Sequence, residues 1–264
     1  MFVIKQKNLM NHTRAVDLTY SNIGKWFLLF IVLVFAGFYR TYFAILFDPK
    51  TPVIHFHFVM MSLWVAMVIA QPFLIKYKKN SLHRMIGRIS YVVIPVTILS
   101  TYLISRHAYF KYLDDLAKES PALQPEQLRQ MGASAFSLPG IYLFSLIVFY
   151  SLAIINRRRS AAHARYMVAA ALTVLGPSVD RIFPFVLGIN IFPLNIPVET
   201  FAFVLIDTIL IVLLWKDYAG QRSFKPMLVS LTIYLATQIF YFTCADTSGW
   251  EYFTSFIMRA GGNG

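Results

Sequence analysis

Six histidines, and a few charged residues set within apolar sequence, carry the chemistry open to this chain. His83 stands in Ser81-Leu82-His83-Arg84-Met85-Ile86-Gly87-Arg88. His163 stands in Arg157-Arg158-Arg159-Ser160-Ala161-Ala162-His163-Ala164-Arg165-Tyr166-Met167. Each opens a long apolar run directly after basic residues. One imidazole from each of two neighbouring helices can ligate a haem iron axially. A bare metal ion at the same place would need further ligands, and no acid lies close by in sequence. The competing reading is a pair of interfacial histidines that bind phosphate together with Arg84, Arg88 and Arg157 to Arg159. His55 and His57 open another run. Two residues apart on a helix, they point about 200° apart, so at most one faces a bundle interior. Met61 and Trp64 follow His57 at helical offsets, which equally describes a packed stripe. His57 and His83 cannot share a metal, because the straight helix from His57 to Ile75 is about 27 Å long. His12 falls in the N-terminal segment and His107 at the far end of the His83 run.

A second constellation is Arg40, His57, Asp180, Arg181 and Asp207, with Glu199 two helical turns before Asp207. Ionisable groups within a membrane are costly and face a cavity or a partner. All five fall in the same half of their apolar runs, where they can line one outward-opening ligand pocket. Ion pairs of Arg40 or Arg181 with Asp180 or Asp207 would order the helices and use the same residues. The 24 Phe, 15 Tyr and 4 Trp suit such a pocket to a hydrophobic or quinone-like ligand, although interfacial belts also use aromatics.

Positioning these groups requires membrane helices. Of 264 residues, 58% are apolar and 14% charged, against roughly 45–50% and about 25% in an ordinary soluble domain. The charges fall between apolar runs and not on a wettable surface, which excludes a nucleic-acid binder despite 24 Lys+Arg against 12 Asp+Glu. A bilayer core takes roughly 20 apolar residues per helix. Seven segments qualify, 26–46, 53–75, 85–106, 134–156, 164–188, 197–216 and 226–245, which predicts an all-α polytopic bundle. Gly176-Pro177 and Pro184 are expected to kink the fifth or make it re-entrant. The N-terminal segment and the connections after segments two, four and six, counted with the flanking Arg88, Arg165 and Lys216, hold sixteen of the Lys/Arg but only Asp17 and Asp217. That asymmetry predicts a cytoplasmic N-terminus in a cell membrane, with anionic-lipid contact at the cytoplasmic face.

The expected organisation is a cytoplasmic segment 1–25, a bundle 26–245 and an extracytoplasmic tail 246–264. The longest outer connection runs from about 107 to 133. Within it Pro125 to Met131 reads as a short helix with proline in its first position, and Asp114, Asp115 and Glu119 read as a solvated face. Cys244 is the one cysteine, which excludes an internal disulfide and a cysteine-built metal site. No removable signal peptide is expected. No phosphate loop, nucleophile elbow or nucleotide fingerprint occurs.

The block from His57 through Trp64 and Gln71-Pro72 to Leu82-His83-Arg84 and Gly87-Arg88, with His163-Ala-Arg-Tyr-Met167 and Asp180-Arg181, resembles a bacterial family of multi-pass membrane proteins of unknown function. The resemblance covers roughly residues 40–185 and implies topology and a bacterial inner membrane. A further likeness is to the di-haem transmembrane cytochromes b, whose four core helices each open on a histidine. Segments two, three and five carry His57, His83 and His163 at matching places. Segment four, at Ser134 to Leu138, carries none, so this likeness implies at most the inner haem.

Three functions follow as expectations. The first is a redox protein with haem b between His83 and His163 and a small or lipid-soluble reactant in the outer pocket. The second is a cofactor-free transporter or ligand-binding protein that uses the outer polar residues. The third is a metal-dependent membrane hydrolase, ranked last because no His-x-x-x-His pair is present.

Overall fold

Apolar runs bounded by proline and by basic turns fold into eight helices among residues 22–259, which a computed structural model of the chain describes. We label them α1 Ile23–Phe43, α2 Pro52–Lys76, α3 Asn80–Glu119, α4 Pro125–Ile155, α5 Ser160–Leu187, α6 Thr200–Ala219, α7 Lys225–Cys244 and α8 Ser248–Arg259. Pro52 and Pro125 occupy first-turn positions, where the missing N–H costs nothing. Gln124 and Gln127 close a reciprocal capping box on α4. A two-residue antiparallel ladder, Ile191–Phe192 with Ile196–Pro197, tightens the connection from α5 to α6. His12 and the charges at 5, 7, 14 and 17 lie outside the described residues, as do residues 260–264.

The chain is an all-α helical bundle, and α1 to α5 and α7 are each long and apolar enough to cross a membrane. Helix α6 has the length, about 30 Å, but carries Asp207, Lys216 and Asp217. Helix α4 stands at the centre and packs against α3, α5, α7 and α8. Trp64, Ile94, Phe149, Ile206, Leu210 and Met227 form the fully enclosed core between the helices. Large apolar side chains such as Val32, Val92, Phe144, Val204 and Ile239 point outward. That surface is what contact with lipid requires.

Two expectations change, and the kink expected in the fifth segment is present. The connection 107–133 is not a loop: α3 runs 40 residues and α4 begins at Pro125, so only Ser120–Gln124 turns the chain. The short helix expected at Pro125 to Met131 is the start of α4. The exposed Lys111–Asp115 pair lies on the continuation of α3, four residues apart along one face. The fifth segment runs the full length but breaks at Thr173 and Val174. Pro177 lacks the N–H that would bond to Thr173 and its ring crowds that carbonyl. Pro184 then lies in a wider π-type turn, Phe183–Leu187. Finally, residues 248–259 are no free tail: α8 packs on α4 through Trp250, Thr254 and Met258.

Candidate functional site

At the end of the bundle that carries the basic turns, His163 lies on the first turn of α5 and His83 on the first turn of α3. The His163 Nδ1 is 2.9 Å from the Ala153 carbonyl oxygen on α4. A carbonyl only accepts, so this nitrogen carries a proton, and in the neutral ring Nε2 is the nitrogen with the lone pair. Such a bond orients the ring of a metal-ligating histidine. The two imidazoles are close enough to act on each other electrostatically. The His83 Nδ1 is buried and makes no hydrogen bond among the described residues, while its backbone carbonyl accepts from Gln71 Nε2 at 3.3 Å. Arg84, Arg88 and Arg157 to Arg159 are exposed around the same helix ends. Two imidazoles with uncommitted nitrogens fit bis-histidine ligation of a haem iron. Among the described residues no group of three or more His, Cys, Asp or Glu could hold a metal ion, so the hydrolase reading finds no ligand set.

Near these histidines lies a pair that the sequence pattern conceals. Arg165 donates from Nε to Asp217 Oδ2 and from Nη2 to Asp217 Oδ1, both at 2.6 Å, and from Nη1 to the Ala161 carbonyl at 2.7 Å. Both side chains are essentially without solvent contact. Both had counted as connection charges; they join α5 to α6 inside the bundle. Because they cancel, the charge asymmetry between the two faces is unchanged.

On the outer side the structure gathers part of the expected pocket and adds to it. Tyr142 of α4 donates to Asp180 Oδ2 at 3.1 Å. Tyr241 of α7 donates to Glu199 Oε1, just before α6. Asp180 lies within electrostatic reach of Glu199 and Tyr241. The other Asp180 oxygen, Oδ1, is buried and accepts no hydrogen bond among the described residues. A Cβ on Gly176 would lie 2.0 Å from Tyr142 Cζ, so only glycine lets the phenol cross α5 toward Asp180. Arg181 donates to the Pro177 carbonyl at 2.7 Å, and its guanidinium lies 4.6 Å from the centre of the Phe38 ring. It is also within electrostatic reach of His57, whose Nδ1 is 3.2 Å from Ser100 Oγ. An open groove of about 510 Å³, lined by Tyr112, Gln130, Met131, Ser134, Leu138 and Tyr241, reaches the Tyr241 edge of this cluster.

Two expected members stand apart. Arg40 is exposed in the last, π-type turn of α1, and donates to the Phe185 carbonyl at 3.2 Å. Asp207 accepts from Gln238 Nε2 at 3.0 Å. The expected arginine–aspartate pairs are therefore corrected: Asp180 is bonded to a phenol and Asp207 to an amide. A membrane-embedded carboxylate needs a donor but not a cation, and Tyr142 and Gln238 supply one. His55 and His107 have local partners, at 3.0 Å from Tyr42 Oη and 3.1 Å from Thr51 Oγ1. Tyr142, Tyr241 and Gln238 escaped the sequence reading because aromatic and amide residues in apolar runs look like core and belt. Glu199 was visible, as the one acid at the start of α6.

No family model, curated protein or solved structure matches this chain. The site geometry therefore carries the functional argument.

Proposed function

We propose that this multi-pass membrane protein is a redox protein that holds one b-type haem between His83 and His163, in a bacterial inner membrane with its basic face in the cytoplasm. The small or lipid-soluble reactant is taken up at the outer cluster of Asp180, Tyr142, Glu199 and Tyr241. The observation that carries this reading is the hydrogen bond from His163 Nδ1 to the Ala153 carbonyl, which leaves Nε2 free to ligate. The unpartnered, buried His83 nitrogen nearby supports it. A bound haem supplies one-electron chemistry, its potential tuned by ligands and burial. Arg84, Arg88 and Arg157 to Arg159 would face its carboxylates at the water boundary, and the remaining guanidinium groups would meet anionic lipid. At the outer cluster the Asp180 and Glu199 carboxylates would accept hydrogen bonds from the reactant and hold a proton there, with Tyr142 and Tyr241 orienting them.

The test is an absorption spectrum of the full-length protein, purified in detergent from cells with ample haem. A low-spin Soret band and visible bands that sharpen on reduction are expected, lost in His83→Ala and His163→Ala but kept in His55→Ala. Haem-replete protein with no Soret band would overturn the reading. A second reading then stands, a cofactor-free solute or proton transporter built on the outer cluster. The unaccepting Asp180 oxygen beside an outward groove favours it. Asp180→Asn would abolish such transport while leaving the protein folded.

A further inference from the structure

Only three residues, 245–247, separate α8 from the end of α7, which places it where the chain leaves the apolar span. Its direction follows from its two ends. Near the first, Trp250 Nε1 donates to the Ala133 carbonyl of α4 at 2.8 Å. Near the second, Arg106 Nε of α3 donates to the Met258 carbonyl at 2.8 Å, and Tyr102 Oη donates to the Ile257 carbonyl at 2.9 Å. Gly132 abuts the Tyr109 ring, so Ala133 lies level with Tyr109, three residues from Arg106. Trp250 stacks on Phe136 of α4, and Met258 packs in the same cluster as Phe136 and Tyr109, so the ends of a run about 12 Å long sit at one level of the bundle. Helix α8 thus crosses α4 and α3 and does not follow them.

Its faces are sorted to match. Thr254 and Met258 are buried against the bundle. Tyr252, Phe253 and Phe256 are 75%, 49% and 67% exposed, too much aromatic surface for one short helix to leave in water. Glu251, Ser255 and Arg259, four residues apart, form a polar row. Glu251 accepts from Arg129 Nε at 3.2 Å, and Arg129 lies one turn beyond Ala133 toward the α3–α4 turn. The polar row therefore faces away from the membrane centre. An open groove of about 560 Å³ runs along it, where Arg129 and Arg259 stand beside Tyr252 and Phe256.

We infer that α8 is an interfacial helix whose exposed aromatic face inserts into the headgroup and upper acyl region of the leaflet on the α3–α4 turn side, with Arg259 facing lipid phosphates while Arg129 is held by Glu126 and Glu251. Aromatic rings with an adjacent cationic edge are the chemistry of a lipid interface. A protein partner would instead bury the same rings away from lipid.

The full-length protein, with Cys244→Ser removing its one cysteine, would carry Phe253→Cys, Phe256→Cys or Ser255→Cys in separate variants, each with a nitroxide label. Each is reconstituted in phosphatidylcholine vesicles containing one quarter phosphatidylglycerol. Labels at 253 and 256 are expected to relax with dissolved oxygen and resist a water-soluble nickel complex, and the label at 255 to do the reverse. Nickel access equal at all three positions would overturn the proposal. So would labels at 253 and 256 that neither reagent reaches, which would mean that a protein covers this face.

Discussion

Arg165 and Asp217 meet through two parallel hydrogen bonds of 2.6 Å with no measurable solvent contact, tying α5 to α6. Removing one partner leaves an uncompensated charge in a low-dielectric interior, at a cost of about 3–5 kcal/mol. Asp217→Asn is therefore expected to lower thermal stability in detergent by that amount. The double change Arg165→Met with Asp217→Leu is expected to recover most of it, because a buried pair is often replaceable by apolar side chains. A single variant as stable as the parent would mean that the pair is hydrated.

Topology is testable without any ligand. Reporter fusions after Lys79 and Arg159, at the turns before α3 and α5, are expected to report cytoplasm. A fusion near Asp115, on the projecting part of α3, is expected to report the opposite side. A cytoplasmic signal at Asp115 would overturn the proposed orientation.

Six of the seven spans were legible because hydropathy alone selects them, and the first-turn positions of His83 and His163 because both open apolar runs after basic turns. Other features were hidden for physical reasons. Lys111, Lys118 and Glu119 lower hydropathy yet, with Leu116 and Ala117, favour helix, so α3 continues well past its apolar stretch and the supposed loop vanishes. Arg165 and Asp217 stand 52 residues apart at the ends of different spans, and no local pattern says which charges pair across a bundle. Helix α8 did leave a signal, Trp250, Thr254 and Met258 at helical spacing opposite Glu251 and Arg259, too short for a search tuned to membrane spans.

Two glycines separate a backbone constraint from a side-chain one. A Cβ on Gly37 would lie 2.1 Å from the Ser178 carbonyl oxygen, where backbone must move. Gly37→Ala is expected to part α1 from α5 and destabilise by about 1–3 kcal/mol. On Gly176 the obstacle is the Tyr142 ring, so Gly176→Ala is expected to push the phenol from Asp180 and match Tyr142→Phe in any assay of the outer cluster. A Gly176→Ala protein with the function of the parent would detach Tyr142 from that cluster.

Asp207 lies in the apolar stretch of α6, and its described partner is the Gln238 amide at 3.0 Å. An asparagine oxygen accepts the same bond, and no arginine loses a partner. Asp207→Asn is therefore expected to stay within about 0.5 kcal/mol of the parent in thermal unfolding, as for a change that preserves its contacts. Gln238→Leu removes the donor and leaves a half-buried carboxylate unsatisfied, at about 1–3 kcal/mol. The order of the two variants decides the matter, since a cation pair at Asp207 would make Asp207→Asn the more damaging by several kcal/mol. Melting curves of both variants, measured side by side in one detergent, separate an amide-bonded carboxylate from an ion-paired one.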